Sequence, residues 1–108
     1  ETAQRFESPM RRAAEAESRG DLQAAVSLLA EAVEASQGQS DAVCANAYCK
    51  RAELLLHLER WDEAFHESAK AIRLSPGLAK AHAARGTASV KLNLLAEAVS
   101  SWETAELL

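Results

Sequence analysis

Three histidines, two cysteines and a scatter of lysines and carboxylates are the side chains of this 108-residue chain that could do chemistry. Catalysis by a nucleophile or a general base needs partnered groups within hydrogen-bond reach. His57, His66 and His82 fall on separate predicted helices, with no paired carboxylate or nucleophile pattern beside them. No glycine-rich phosphate loop is present either. An enzyme is not expected, and each histidine is read as a surface or interface residue. Cys44 and Cys49 stand five apart on one predicted helix, a spacing that does not bring two sulfurs together. Without His or Cys neighbours they make no zinc site, so neither metal nor cofactor is implied. They read as half-buried thiols of a chain kept in a reducing, cytoplasmic setting. What remains is binding chemistry.

The elements that must position these groups are helices. Alanine supplies 24 residues, against 2 Phe, 2 Trp and 1 Tyr. Alanine is the best helix former and fills little space, so helices rich in it can pack close together. Glycine and proline number only 4 and 2, and no stretch alternates as a half-buried strand would. The length suits one domain with a modest core. A net charge of −4 argues against a nucleic-acid partner, which would need a basic surface. No apolar run approaches the ~20 residues of a membrane span, and no signal-peptide pattern opens the chain. It starts Glu1-Thr2-Ala3 without methionine, so a piece of a longer protein is expected.

A periodic set of small residues organises the sequence. Ala64, within Trp61-Asp62-Glu63-Ala64-Phe65, has a counterpart 34 residues later in Ala98 and 39 earlier in Ala25. Each has another Ala seven residues on (Ala32, Ala71, Ala105) and a small residue twelve before (Ala13, Ala52, Gly86). Antiparallel helices cross tightly only where both present small side chains and larger neighbours interlock around them. Those larger neighbours follow at helical spacing: Leu22, Val26, Leu29 and Val33, then Trp61, Phe65, Ile72 and Leu74, then Leu95, Val99 and Trp102. The aromatics among them are expected in the core. Local signals place first-helices at 9–19, 43–57 and 79–91 and second-helices at 21–35, 59–74 and 94–108. Ser8-Pro9 reads as an N-cap and first helical position, where the first helix begins or kinks, Gly20-Asp21 as a break and cap, and Ser40 or Asp41 as the next cap. Residues 36–40 form a loop, and Asn93 marks the last turn.

A 34-residue unit of two helices with this pattern resembles the tetratricopeptide repeat (TPR) family, over nearly the whole chain. The second unit matches best: Tyr48, Ala52, Leu55, Ala64, Ala71 and Pro76 stand at the family's aromatic, small, bulky, Ala, Ala and Pro positions. The first departs most, with Pro9 in place of an aromatic and Gln37 in place of Pro. The resemblance implies an all-α fold of three antiparallel helical hairpins, stacked as a short right-handed superhelix (an α-solenoid). The repeats would span about 6–44, 45–78 and 79–108. It also implies that first-helices line a concave groove and second-helices the outer face. First-helices carry eight basic and three acidic side chains, second-helices three basic and ten acidic. A basic groove in an acidic protein would follow, suited to capturing acidic ligands. By alignment to the repeat, the groove positions are Met10, Arg11, Ala14, Asn46, Cys49, Lys50, Glu53, His57, Lys80, Ala83, Ala84, Thr87 and Lys91, with Glu7 and Glu17. Lys50 and Lys80 stand at the centre, and Ala14, Ala83 and Ala84 leave room for an extended peptide.

Tyr48-Cys49-Lys50-Arg51-Ala52 and Ala79-Lys80-Ala81-His82-Ala83 are similar to segments of co-chaperones, including ones with J-domains, that grip the acidic C-terminal tail of heat-shock chaperones. Their grip ordinarily uses Lys, Asn, Asn, Lys and Arg, which hold a terminal carboxylate and a nearby acidic side chain. Here those positions hold Met10, Ala14, Lys50, Lys80 and Ala84, and only Lys80 matches. Arg85 is one residue off, a turn of about 100° round the helix. The clamp is therefore expected to be lost or rebuilt. The implied function is a protein-interaction module binding an acidic or extended peptide. Its rival is a scaffold or self-assembly module using the convex face or the C-terminal end, where no capping helix follows Leu107-Leu108.

Overall fold

The computed structural model describes residues 2–38 and 40–108, with the side chains of 2–8 outside the description. The side chain of Glu7 falls in that segment. The described elements are α1 (Thr2–Ser18), α2 (Leu22–Ala35), α3 (Asp41–His57), α4 (Trp61–Leu74), α5 (Ala79–Lys91) and α6 (Leu95–Leu107). They pair as hairpins α1/α2, α3/α4 and α5/α6, and each hairpin packs on the next through α2 against α3 and α4 against α5. The result is an all-α repeat stack with extents of 42 × 28 × 18 Å.

Helix contact follows the small residues. Ala25, Ala32, Ala52, Ala64 and Ala71 are wholly buried, Ala13, Gly86 and Ala98 nearly so, and Ala105 is half-buried. Leu29, Leu54 and Leu55 interlock around them at 2% exposure or less. A side chain larger than a methyl at these crossings would force the helices apart, because the surrounding atoms are already close-packed. At Gly86 even a methyl is too large: a Cβ there would stand 2.7 Å from Trp102 Nε1.

The turn within each hairpin repeats as strictly as the alanines. Gly20, Glu59 and Asn93 all take the left-handed conformation, with φ of 81°, 59° and 63°. The next amide in each case reaches back five residues: Asp21 N–H to Ala16 O, Arg60 to Leu55 and Leu94 to Ser89, at 2.7–2.9 Å. This is a helix C-terminal stop closed by a six-to-one bond. It sets the start of α4 at Trp61 and of α6 at Leu95, later than the sequence signals put them. Asp21 and Ser40 then cap helices, accepting hydrogen bonds from Ala24 N–H (3.2 Å) and Val43 N–H (3.3 Å). The Ser40 cap starts α3 at Asp41, two residues earlier than expected.

Two further expectations are corrected. Pro9 does not open its helix: α1 runs from Thr2 and carries Pro9 inside it, where the ring is buried against the stack and so offsets part of the lost backbone bond. Trp102 is not core: it is 43% exposed, and Leu95 and Val99 on the same helix are 62% and 58% exposed. Their counterparts Trp61 and Phe65 on α4 are half-buried beside α5, and no described helix packs on the same face of α6.

Glu59 is the one hairpin-turn residue with neither glycine nor asparagine to ease positive φ. Glu59→Gly is expected to raise stability by up to about 1 kcal/mol. Urea unfolding followed by circular dichroism measures this, and a loss of stability would contradict the strain assigned to the turn.

Candidate functional site

Helical spacing on two neighbouring first-helices builds one concavity. Lys50, Glu53, Leu54 and His57 recur every three to four residues on α3, and Lys80, Ala83, Ala84 and Thr87 do so on α5. With Glu17 of α1 and Leu56 they line a hollow of about 440 Å³. Buried Leu54 and Ala84 belong to its floor, and the small Ala83 and Ala84 keep it open. Thr87 Oγ1 donates to Ala83 O at 3.1 Å, which turns the hydroxyl onto its own helix. Leu54 and Leu56 escaped the sequence reading, since apolar residues on an alanine-rich helix look like ordinary core.

The remaining candidates lie elsewhere. Met10 packs half-buried against the core of the first hairpin. Arg11, Ala14 and Asn46 are exposed outside the lining. Lys91 sets its ammonium 5.4 Å from the Trp61 ring centroid, a cation–π contact within the hairpin stack. Cys49 is 3% exposed and does not line the hollow. Both cysteines are free and buried rather than half-buried, and Cys44 Sγ donates to Ser36 O at 3.1 Å.

The basic surplus of the first-helices is not delivered to the concavity. Arg12 approaches Glu31 at 4.0 Å, and Arg51 Nη1 lies 2.7 Å from Glu67 Oε1, whose side chain is only 7% exposed. That last approach is badly angled for a hydrogen bond, and Glu67 Oε1 and Arg51 Nε lack hydrogen-bond partners among the described residues. The contact is mainly Coulombic, and Lys70 at 3.4 Å from Glu67 Oε2 completes it. Arg85 spans 5.2 Å to the Phe65 ring centroid and donates to Ser101 Oγ at 3.3 Å. The lining itself carries Lys50 and Lys80 against Glu17 and Glu53, so it is charge-balanced and not basic. Lys50 Nζ sits 3.3 Å from Glu17 Oε1, whereas Lys80 and Glu53 have no ion-pair partner among the described residues. The buried His82 ring donates through Nε2 to Pro76 O at 2.8 Å, and this ties the α4–α5 turn. His57 alone of the three histidines borders the concavity.

No family profile and no curated protein matches the chain. Solved structures do. The second TPR of Spaghetti (RPAP3), bound to the HSP90 peptide SRMEEVD, is 30% identical, with 97% of this chain and 93% of that one covered at a TM-score of 0.87. The chain belongs to the tetratricopeptide repeat family. The Arabidopsis OM64 TPR domain is 26% identical, covering 100% of this chain and 85% of that one, at a TM-score of 0.89. The second TPR domain of human RPAP3, in complex with the HSP70 peptide SGPTIEEVD, is 27% identical over 99% of this chain and 85% of that one, at 0.88.

On this TPR frame, Lys50 and Lys80 come together in one concavity with Ala84, while Met10 and Ala14 stay outside it. Arg85 is committed to α6 through Ser101 and to α4 through Phe65, so it supplies no cation to the groove.

Beneath this lining, the Cys49 thiol is pushed up from 9.0 to about 11, by burial first and by Glu53 second, with Lys80 and Lys50 pulling weakly the other way. The folded chain thus holds this proton more tightly than the unfolded one. The stability this confers is complete below pH 9.0 and lost as pH rises through about 11. Urea midpoints between pH 8 and 11 are expected to show an alkaline loss that Cys49→Ala lacks. An equal loss in both chains would contradict it.

Proposed function

We propose that this TPR chain is a protein-interaction module whose concavity takes an extended peptide through a ligand carboxylate. The observation that carries this reading is the convergence of Lys50 and Lys80, from successive hairpins, on a hollow floored by small and apolar residues. An ammonium fixed on a helix can hold a carboxylate by a charge-assisted hydrogen bond. Two of them on successive hairpins select an extended ligand over a compact one. The complexes of the two RPAP3 neighbours, each with a chaperone peptide ending in EEVD, support an acidic C-terminal tail as the ligand class and a co-chaperone setting.

The two lysines are not equivalent. Lys50 is already neutralised by Glu17 in a pair whose side chains are 42% and 36% exposed, a contact weak enough for a ligand to displace. Lys80 is open and is the primary anchor. In a fluorescence-anisotropy titration with SRMEEVD, Lys80→Ala is expected to weaken binding about fivefold and Lys50→Ala less, while Glu17→Gln strengthens it about twofold. Amidating the peptide's C-terminus and raising salt should both weaken it. If neither lysine variant loses affinity, this groove is not the binding site.

A scaffold role is the second reading, and the exposed Leu95, Val99 and Trp102 on α6 favour it. With Val90 they border an open, mainly apolar hollow of about 450 Å³. Self-association through this face predicts a dimer in light scattering that Val99→Glu returns to monomer. A monomer at high protein concentration would retire it.

A further inference from the structure

We infer that the concavity reads a ligand cation as well as a carboxylate, with Glu53 as the residue that selects it; this rests on the carboxylate reading above. The groove holds two unequal charge pairs. Glu17 and Lys50 satisfy each other, which leaves Lys80 and Glu53 as the lining charges without an ion-pair partner among the described residues. Glu53 is half-buried in the hollow, where a carboxylate loses hydration without recovering it from a partner. A ligand ammonium or guanidinium restores what it lacks. Glu53 and Lys80 line the same hollow, one from α3 and one from α5.

This arrangement defines a ligand. A peptide with acidic residues alone finds Lys80 favourable and Glu53 repulsive. One that carries Lys or Arg near its acidic residue meets both. In an extended peptide, residues two apart project to the same side. The ligand pattern is therefore a basic residue close to an acidic one in an extended peptide, and a spacing of two puts both on the groove side. SRMEEVD has that pattern in its Arg-Met-Glu segment, and SGPTIEEVD holds no basic residue.

The test uses the full chain and two labelled peptides, SRMEEVD and a copy with glutamine in place of its arginine, in anisotropy titrations. The arginine peptide is expected to bind about two- to fivefold tighter. Glu53→Gln should erase that preference and raise the glutamine peptide's affinity, and Glu53→Lys should invert it. Glu53 makes no ion pair among the described residues, so neither variant should alter the helical circular dichroism. Equal affinity of the two peptides for the wild-type chain overturns this inference alone. So does an equal weakening of both by Glu53→Gln. Binding of neither peptide overturns the carboxylate reading with it.

Discussion

Close approach of helix backbones is the constraint on which this structure depends. With only five aromatic residues, the chain cannot fill wide gaps between its helices. It closes the gaps instead, by placing alanine or glycine wherever one helix crosses another. Every crossing then fixes the next, because leucines beside each small contact interlock only at that distance. The concavity inherits its shape from the same rule. Ala83 and Ala84 of α5 line it together with Lys50 and Glu53 of α3, and the space these small residues leave is the space a ligand could enter.

Charge is distributed by that packing more than by the helices that carry it. Arginines on first-helices are long enough to reach second-helices, and several do. Arg51 is drawn to the buried Glu67, and Arg85 to Phe65 and Ser101. A guanidinium stacks and pairs well at a half-buried contact, so arginines become structural cement. The more hydrated lysine ammoniums at 50 and 80 stay at the groove surface. An acidic protein with cation-rich first-helices thus ends with a groove of balanced charge. Specificity there depends on which charges are left open.

The two RPAP3 domains that resemble this chain hold chaperone peptides on the same architecture. The resemblance puts three of the five clamp positions of this family on Met10, Ala14 and Ala84, which offer neither a charge nor an amide. The frame itself is held by buried alanines, and the groove side chains sit on positions between them.

Fold class, the number of hairpins and the positions of close helix contact were legible in the sequence, because small residues recur at 34- and 39-residue intervals and only packing requires that. Gly20 and Asn93 likewise announced their turns, whereas Glu59 did not, since nothing in glutamate's chemistry favours positive φ. Lys50, Glu53, His57, Lys80 and Thr87 could be placed in one groove by the resemblance to the TPR repeat. What periodicity cannot supply is the partner of each long side chain. The turning of Arg51 and Arg85 away from the groove, the Glu17–Lys50 pair and the bareness of α6 are set by how neighbouring helices lie in space. Short side chains are placed by their own helix, and long charged ones by whatever the tertiary fold brings within reach.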